Sequence, residues 1–195
     1  MSCGGDAYKM KSMFVKLWFA FALIVLLIAA GCAPKSSVTS KESDFVERLY
    51  ANDPARKLIG TSLPAIQFKD LVTGKSMSFD DFKDKVVLIN SLILGCPSCL
   101  EEIPKLNQLH DKYGSKLAII EVDVNPKDSA EQLLKTKKDL QGRDFVWTIS
   151  PEVGEALQMP YPDVTYIAKN GKIVYADSMV VSIERLEKFI DEALK

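Results

Sequence analysis

Cys96-Pro97-Ser98-Cys99 is the stretch of this chain best equipped for chemistry. Two thiols three residues apart at the start of a helix share one face, about one turn from each other. They can close a small disulfide ring, and a helix N-terminus favours the thiolate of the first over its thiol. That pairing suits reversible dithiol–disulfide exchange and needs no bound cofactor beyond the pair itself. A structural disulfide is the plainer alternative, yet so short a loop removes little entropy from the unfolded chain. A zinc half-site would lack its second cysteine pair, because the other two of the four cysteines, Cys3 and Cys32, lie in the N-terminal segment.

The elements around the motif must hold it in place. An apolar run over residues 86–94, broken only by Asn90 and Ser91, leads into it, and residues 86–91 read as a buried strand. Residues 97–112 read as the helix that follows, with Pro97 at the first helical position and Gly114 as the stop. Upstream, 65–71 and 76–79 flank Thr73-Gly74-Lys75 as a short hairpin. Downstream come a strand over 117–123, a helix over 129–140 capped by Ser129, a strand over 145–149 and a short helix over 151–158. A second hairpin, 164–168 with 172–176, turns at Asn170-Gly171, and a helix over 183–194 aligns Ile183, Leu186, Ile190 and Leu194. This order predicts a three-layer α/β fold: a mixed central sheet with helices on both faces, an N-terminal β-hairpin and a central helical insertion.

The N-terminus has the pattern of an export signal. Lys9, Lys11 and Lys16 precede an uncharged run over 17–34 that ends Ala29-Ala30-Gly31-Cys32. The ending resembles the lipobox of bacterial lipoproteins, in which Cys32 would be acylated and become the first residue; Ala29 stands where leucine is usual. A transmembrane anchor is the alternative, although residues 17–31 would span only about 22 Å against a hydrocarbon core of about 30 Å. Plain secretion is the third. All three place the rest of the chain outside the cytoplasm. The expected divisions are a signal peptide over 1–31, a lipid-anchored polar tether over 32–61 with one short helix near 44–50, and a folded domain over 62–195.

Composition narrows the partners. The 25 Lys and Arg nearly balance 26 Asp and Glu, and several lysines belong to the leader, so the remaining domain is mildly acidic. It carries no basic stripe or aromatic platform for nucleic acid. About 160 residues beyond the leader make one ordinary domain, expected to act as a monomer. His110, the single histidine, lies eleven residues past Cys99. On one helix that is about 16 Å, too far to share a metal ion with the thiols, and Met159 is only a weak further ligand.

With the motif at the meeting of a buried strand and a helix, the chain resembles the thioredoxin fold. The resemblance is closest to the exported TlpA, ResA and CcmG-type thiol–disulfide oxidoreductases, and it covers residues 60–195. Leu63-Pro64, Thr73-Gly74-Lys75, Phe79 with Asp81-Phe82-Lys83, and Lys85-Val86-Val87-Leu88-Ile89-Asn90 carry it. So do Cys96, Cys99, Glu102 and Pro104 in the spacing C-x-x-C-x-x-E-x-P, and Pro162 nine residues before Gly171. The family commonly reads Phe-Trp-Ala-x-Trp before its first cysteine, whereas this chain reads Ser91-Leu92-Ile93-Leu94-Gly95. Two aromatic walls of the family site are therefore missing.

The resemblance implies roles. Cys96 is the nucleophile, Cys99 the resolving thiol, and Glu102 assists proton transfer between them; an exposed helix glutamate is the alternative for Glu102. Asn90 occupies the position at which cytoplasmic thioredoxins carry a buried Asp. Pro162 is expected in cis, with Tyr161 beside it pairing with a client backbone, and Pro97 and Ser98 forming the facing surface; a rigid Pro160-Tyr161-Pro162 turn, or a cis bond at Pro160 instead, is the alternative. The implied activity is reduction of disulfides in exported proteins, with a membrane thiol carrier as electron donor and apocytochrome c among the candidate clients in cytochrome c biogenesis. The implied location is the periplasmic or cell-surface side of a membrane. Two rivals remain. A thiol peroxidase would want Pro-x-x-x-Thr-x-x-Cys before its reactive thiol, which residues 91–95 do not supply. A Cu(I)-binding module would use the two thiolates without turnover.

Overall fold

The two most apolar runs of the chain lie side by side at its centre. In the computed structural model, which describes residues 53–195, β3 (Val86–Leu92) pairs in parallel with β4 (Leu117–Asp123), and every residue of both strands is buried. Burial on both faces is why these strands show no polar alternation. β5 (Val146–Ile149) extends the sheet in parallel beyond β4. On the other side β6 (Thr165–Lys169) pairs antiparallel with β3, and β7 (Lys172–Asp177) with β6, giving the order β5-β4-β3-β6-β7. β1 (Gln67–Lys69) and β2 (Ser76–Ser78) form the separate N-terminal hairpin.

Side chains alternate between two cores. One face of the sheet receives α1 (Pro97–Tyr113), α2 (Ala130–Asp139) and α4 (Ile183–Ala193), through residues such as Ile103, Leu106, Leu133, Leu186 and Ile190. The other face is covered by α3 (Pro151–Ala156), by Phe79 and Phe82, and by Phe68 of the hairpin. Each fully buried aliphatic side chain contributes about 1.5–3 kcal/mol of transfer free energy. Trp147 lies in the first core, stacked on Phe145 at 5.0 Å, with its indole N–H donated to the Arg143 carbonyl.

Sequence and structure agree closely on the elements. Ser129 caps α2 in a capping box with Gln132, and Asn170 and Gly171, both at positive φ, make the tight β6–β7 turn. Of the stretch expected to be a tether, residues 54–58 form a 3-10 helix with Ala55 buried against the second core. The Asp53 carboxylate accepts hydrogen bonds from the Ser178 N–H and hydroxyl, and the Gly60 N–H bonds to the Ile173 carbonyl. The leader, Cys32 and the expected helix near 44–50 lie outside the described residues. Among the described residues no helix is long and apolar enough to cross a membrane.

Candidate active site

The approach to the motif is fixed before the helix begins. β3 ends at Leu92, and the chain turns through Gly95, whose φ of +82° is strained for any residue with a Cβ. The Leu94 N–H is held at 3.0 Å by the Asp128 carboxylate from the β4–α2 loop. Cys96 is the N-cap of α1, and Pro97 takes the first helical position. Cys96 is half-buried and Cys99 fully buried, one turn further in on the face against the sheet.

This placement makes the two thiols unequal. Burial alone would raise the Cys96 pKa, but hydrogen bonds with the Cys99 thiol and the Ser98 hydroxyl, and the Cys99 N–H at 3.4 Å, outweigh it and leave the thiol below its ordinary value; the Asp163 charge opposes them. Cys99 moves strongly the other way. Burial raises its pKa most, and its bond to Cys96 and the charge of Asp163 add to that. An accessible, more acidic thiol in front of a buried, more basic one is the arrangement a nucleophile and a resolving thiol require.

Glu102 follows Cys99 by one turn and is buried rather than exposed, so the surface-glutamate alternative fails. Burial raises its pKa, while the Lys105 ammonium, 2.7 Å from Oε1, works against that rise. Its Oε2 has no hydrogen-bond partner among the described residues. Glu102 is therefore a carboxyl with one oxygen fixed and one available to a proton.

The segment expected to face the client does sit against the motif. Asp163 reaches back to accept the Ser98 hydroxyl at 2.6 Å. Tyr161, 65% exposed, projects from the same loop. Pro162, however, is not cis: all peptide bonds described are trans. The chain turns instead at Asp163, whose φ of +65° is the left-handed conformation. Ser91 makes that route possible. Its hydroxyl donates to the Tyr161 carbonyl and accepts the Val164 N–H, while its own carbonyl accepts the Asp163 N–H. A small polar residue where the family carries an aromatic one thus ties the loop to β3.

Three further residues of the site escaped the sequence reading. Asp163, Ser91 and Glu121 are the ones that connect its parts. Glu121 is wholly buried in β4, in register with Asn90 of β3, and accepts both bonds it makes from the Asn90 amide, at 3.1 and 3.3 Å. Its signal in the sequence is an acid in the middle of an otherwise apolar strand, two residues before Asp123 at the strand's end. Met159 belongs to the core on the opposite face from Cys99, and His110 packs against Phe145 at 6.1 Å, so neither joins the thiols. Among the described residues, the one group able to hold a metal ion is Cys96, Cys99 and Asp163, whose donor atoms lie within 4.8 Å of one another.

Known proteins share this architecture. A Redoxin family model matches residues 58–190. The thiol–disulfide oxidoreductase ResA of Bacillus cereus is 28% identical over 87% of this chain and 93% of its own length. The thioredoxin-like protein YneN of Bacillus subtilis is 24% identical over 91% of this chain and 98% of its own. Among solved structures, a candidate thiol:disulfide interchange protein DsbE from Chlorobium tepidum superposes with a TM-score of 0.63 at 19% identity, over 70% of this chain and 98% of that one. At that identity the superposition speaks for the fold.

Proposed function

Because the chain belongs to the Redoxin family and is a thiol–disulfide oxidoreductase, we propose that it works outside the cytoplasm, tethered to a membrane, and reduces disulfides of exported proteins. The inequality of the two thiols carries the mechanism. The Cys96 thiolate attacks one sulfur of the client disulfide and forms a mixed disulfide, releasing the first client thiolate. Cys99 then loses its proton and attacks Cys96 Sγ; the Cys96–client bond breaks, and the second client thiolate leaves and is protonated. Two electrons pass from the dithiol to the client, and a membrane thiol carrier restores them.

The client surface is formed by Pro97 and Ser98, with Tyr161 and trans Pro162 opposite them. A cleft of about 660 Å³ bordered by Ile93, Pro126, Pro151 and Pro160 continues this surface and would seat apolar client residues. Apocytochrome c is one client of this kind. The tether is the segment from a lipid-modified Cys32 to the first docked residues.

The decisive measurement is the reduction potential of the Cys96–Cys99 pair. A value near or below about −250 mV supports a reductase fed by an electron donor, whereas one near about −120 mV makes the protein a disulfide donor. The closeness of the two sulfurs, soft ligands whose donor atoms lie with one of Asp163 within 4.8 Å of one another, supports one second reading, a Cu(I) site. A stable one-to-one Cu(I) complex with negligible disulfide reduction would establish it.

A further inference from the structure

A carboxylic acid buried in the centre of a sheet needs a reason. Glu121 has no exposed surface, and no cation pairs with it among its described contacts; its two hydrogen bonds both come from the Asn90 amide, at 3.1 and 3.3 Å. Asn90 is itself oriented by the Thr165 hydroxyl, which donates to its Oδ1 at 2.8 Å. The amide therefore presents its N–H groups to Glu121 by construction.

Glu121 also lies on the side of the sheet that faces α1. Along β4 the side chains of Leu117 and Ile119 join the core that contains Cys99, while Ala118, Ile120 and Val122 join the other, so alternation places Glu121 with Cys99. The charged groups that act on it come from three elements: Glu102 of α1, Asp123 of its own strand, and Asp163 of the loop before β6. Burial raises its pKa well above its ordinary value, the Asn90 bonds oppose this, and these three acids add to the rise. Lys105, the cation of the group, is committed to Glu102 at 2.7 Å and to the Val181 carbonyl at 3.0 Å.

We propose that Glu121 is the inner member of a two-carboxyl proton relay with Glu102, storing the proton that Cys99 gains when the disulfide opens and returns when it closes. This rests on the thiol–disulfide reading above. When a donor thiolate attacks Cys96 Sγ, the Cys96–Cys99 bond breaks, and Cys99 leaves as a thiolate inside the protein. Glu121 gives up its proton and Cys99 becomes a thiol, the proton passing through Glu102. In the closing direction Cys99 returns the proton along the same path before its sulfur attacks. Glu121 touches neither sulfur in this scheme; it acts through Glu102 and is a positioning and storage residue.

The test is the rate at which dithiothreitol opens the disulfide in the full chain, measured from pH 6 to 9 and divided by the fraction of reagent thiolate. For the wild type this rate stays level across neutral pH. In Glu121→Gln, which keeps the shape and the acceptor for Asn90, it falls about tenfold by pH 8 and then declines with proton concentration. The rate of Cys96 alkylation in the reduced form does not change. Superimposable profiles for the two proteins would overturn the relay. Failure of dithiothreitol to open any disulfide in the wild type would instead remove the redox reading on which it rests, and the relay with it. Infrared difference spectra of the wild type between its two redox states give a readout that needs no foldable Glu121 variant. A protonated-carboxyl band that responds to redox state and persists in Glu102→Gln is expected, and its absence sinks the proposal.

Discussion

The Ser98 hydroxyl donates its one proton to Asp163 at 2.6 Å, while the same oxygen stands 3.1 Å from Cys96 Sγ. A hydroxyl has a single proton to give. Asp163 competes for the proton that Ser98 would give to a Cys96 thiolate, and the Asp163 charge opposes ionisation of Cys96 as well. Asp163 thus restrains a thiol that the helix start and its hydrogen bonds activate.

Replacing Asp163 by Asn should release that restraint. Asparagine tolerates the left-handed backbone at this position, so the loop is preserved. The midpoint of Cys96 alkylation against pH should fall by about half a unit to one unit as the like charge is lost and the Ser98 proton turns to the thiolate. An unchanged or higher midpoint would show that Asp163 does not restrain Cys96.

The division of labour between the thiols predicts different failures for their variants. Cys96→Ser should abolish reduction of a disulfide such as insulin's. Cys99→Ser should still attack but accumulate a mixed disulfide, visible as a mass increase by electrospray. Equal trapping by both variants would contradict the assignment of roles.

Glu102→Gln should act on the second step alone. With the proton acceptor gone, resolution of a preformed mixed disulfide should slow about 10- to 100-fold at pH 7. Stopped-flow traces should show the initial attack by Cys96 at its wild-type rate. Slowing of both phases together would mean that Glu102 serves the packing of α1 rather than the proton.

Asp123 gives a prediction about stability. It is fully buried at the end of β4, and burial, with the neighbouring Asp128 adding to it and the Asn125 N–H opposing it, raises its pKa to about 7. In the unfolded chain the value is about 3.9. Between these values the unfolded chain binds fewer protons than the folded one, so this group's contribution to stability falls as pH rises from about 4 to about 7 and is level above. Asp123→Asn keeps an acceptor for the Asn125 N–H, at 2.9 Å in the wild type. The stability of the variant relative to wild type should therefore improve by roughly 2–4 kcal/mol between pH 4 and pH 8. Urea midpoints at the two pH values measure this, and a constant difference would place the titration elsewhere.

Apolar patterning made most of the fold legible. Runs 86–92 and 117–123 are continuous because both faces of those strands are covered, and Ser129, Gly114 and Asn170-Gly171 mark ends and turns by local backbone preference alone. The motif and Glu102 were legible because three side chains one turn apart depend on a single helix. What stayed hidden depends on register between distant segments. Glu121 acquires meaning only beside Asn90, 31 residues away in sequence, and Asp163 only beside Ser98, 65 away. The expected cis bond at Pro162 failed for a related reason. Ser91, 70 residues before Tyr161, offers a trans loop enough hydrogen bonds to be held by β3.

The clamp that Ser91 places on Tyr161 and Val164 also orders events in time. A chain made or threaded from its N-terminus presents Cys96 and Cys99 long before residues 161–165 exist to meet them. Contacts across some seventy positions close late, because loop entropy must be met before they form. Until β6 docks on β3, Ser98 has no Asp163 to receive its proton, and Asn90 has no Thr165 to aim it at Glu121. The nucleophile's restraint and the orientation of the buried acid are thus properties of the completed fold, and nascent chains carry a dithiol with the reactivity of an ordinary helix-start pair.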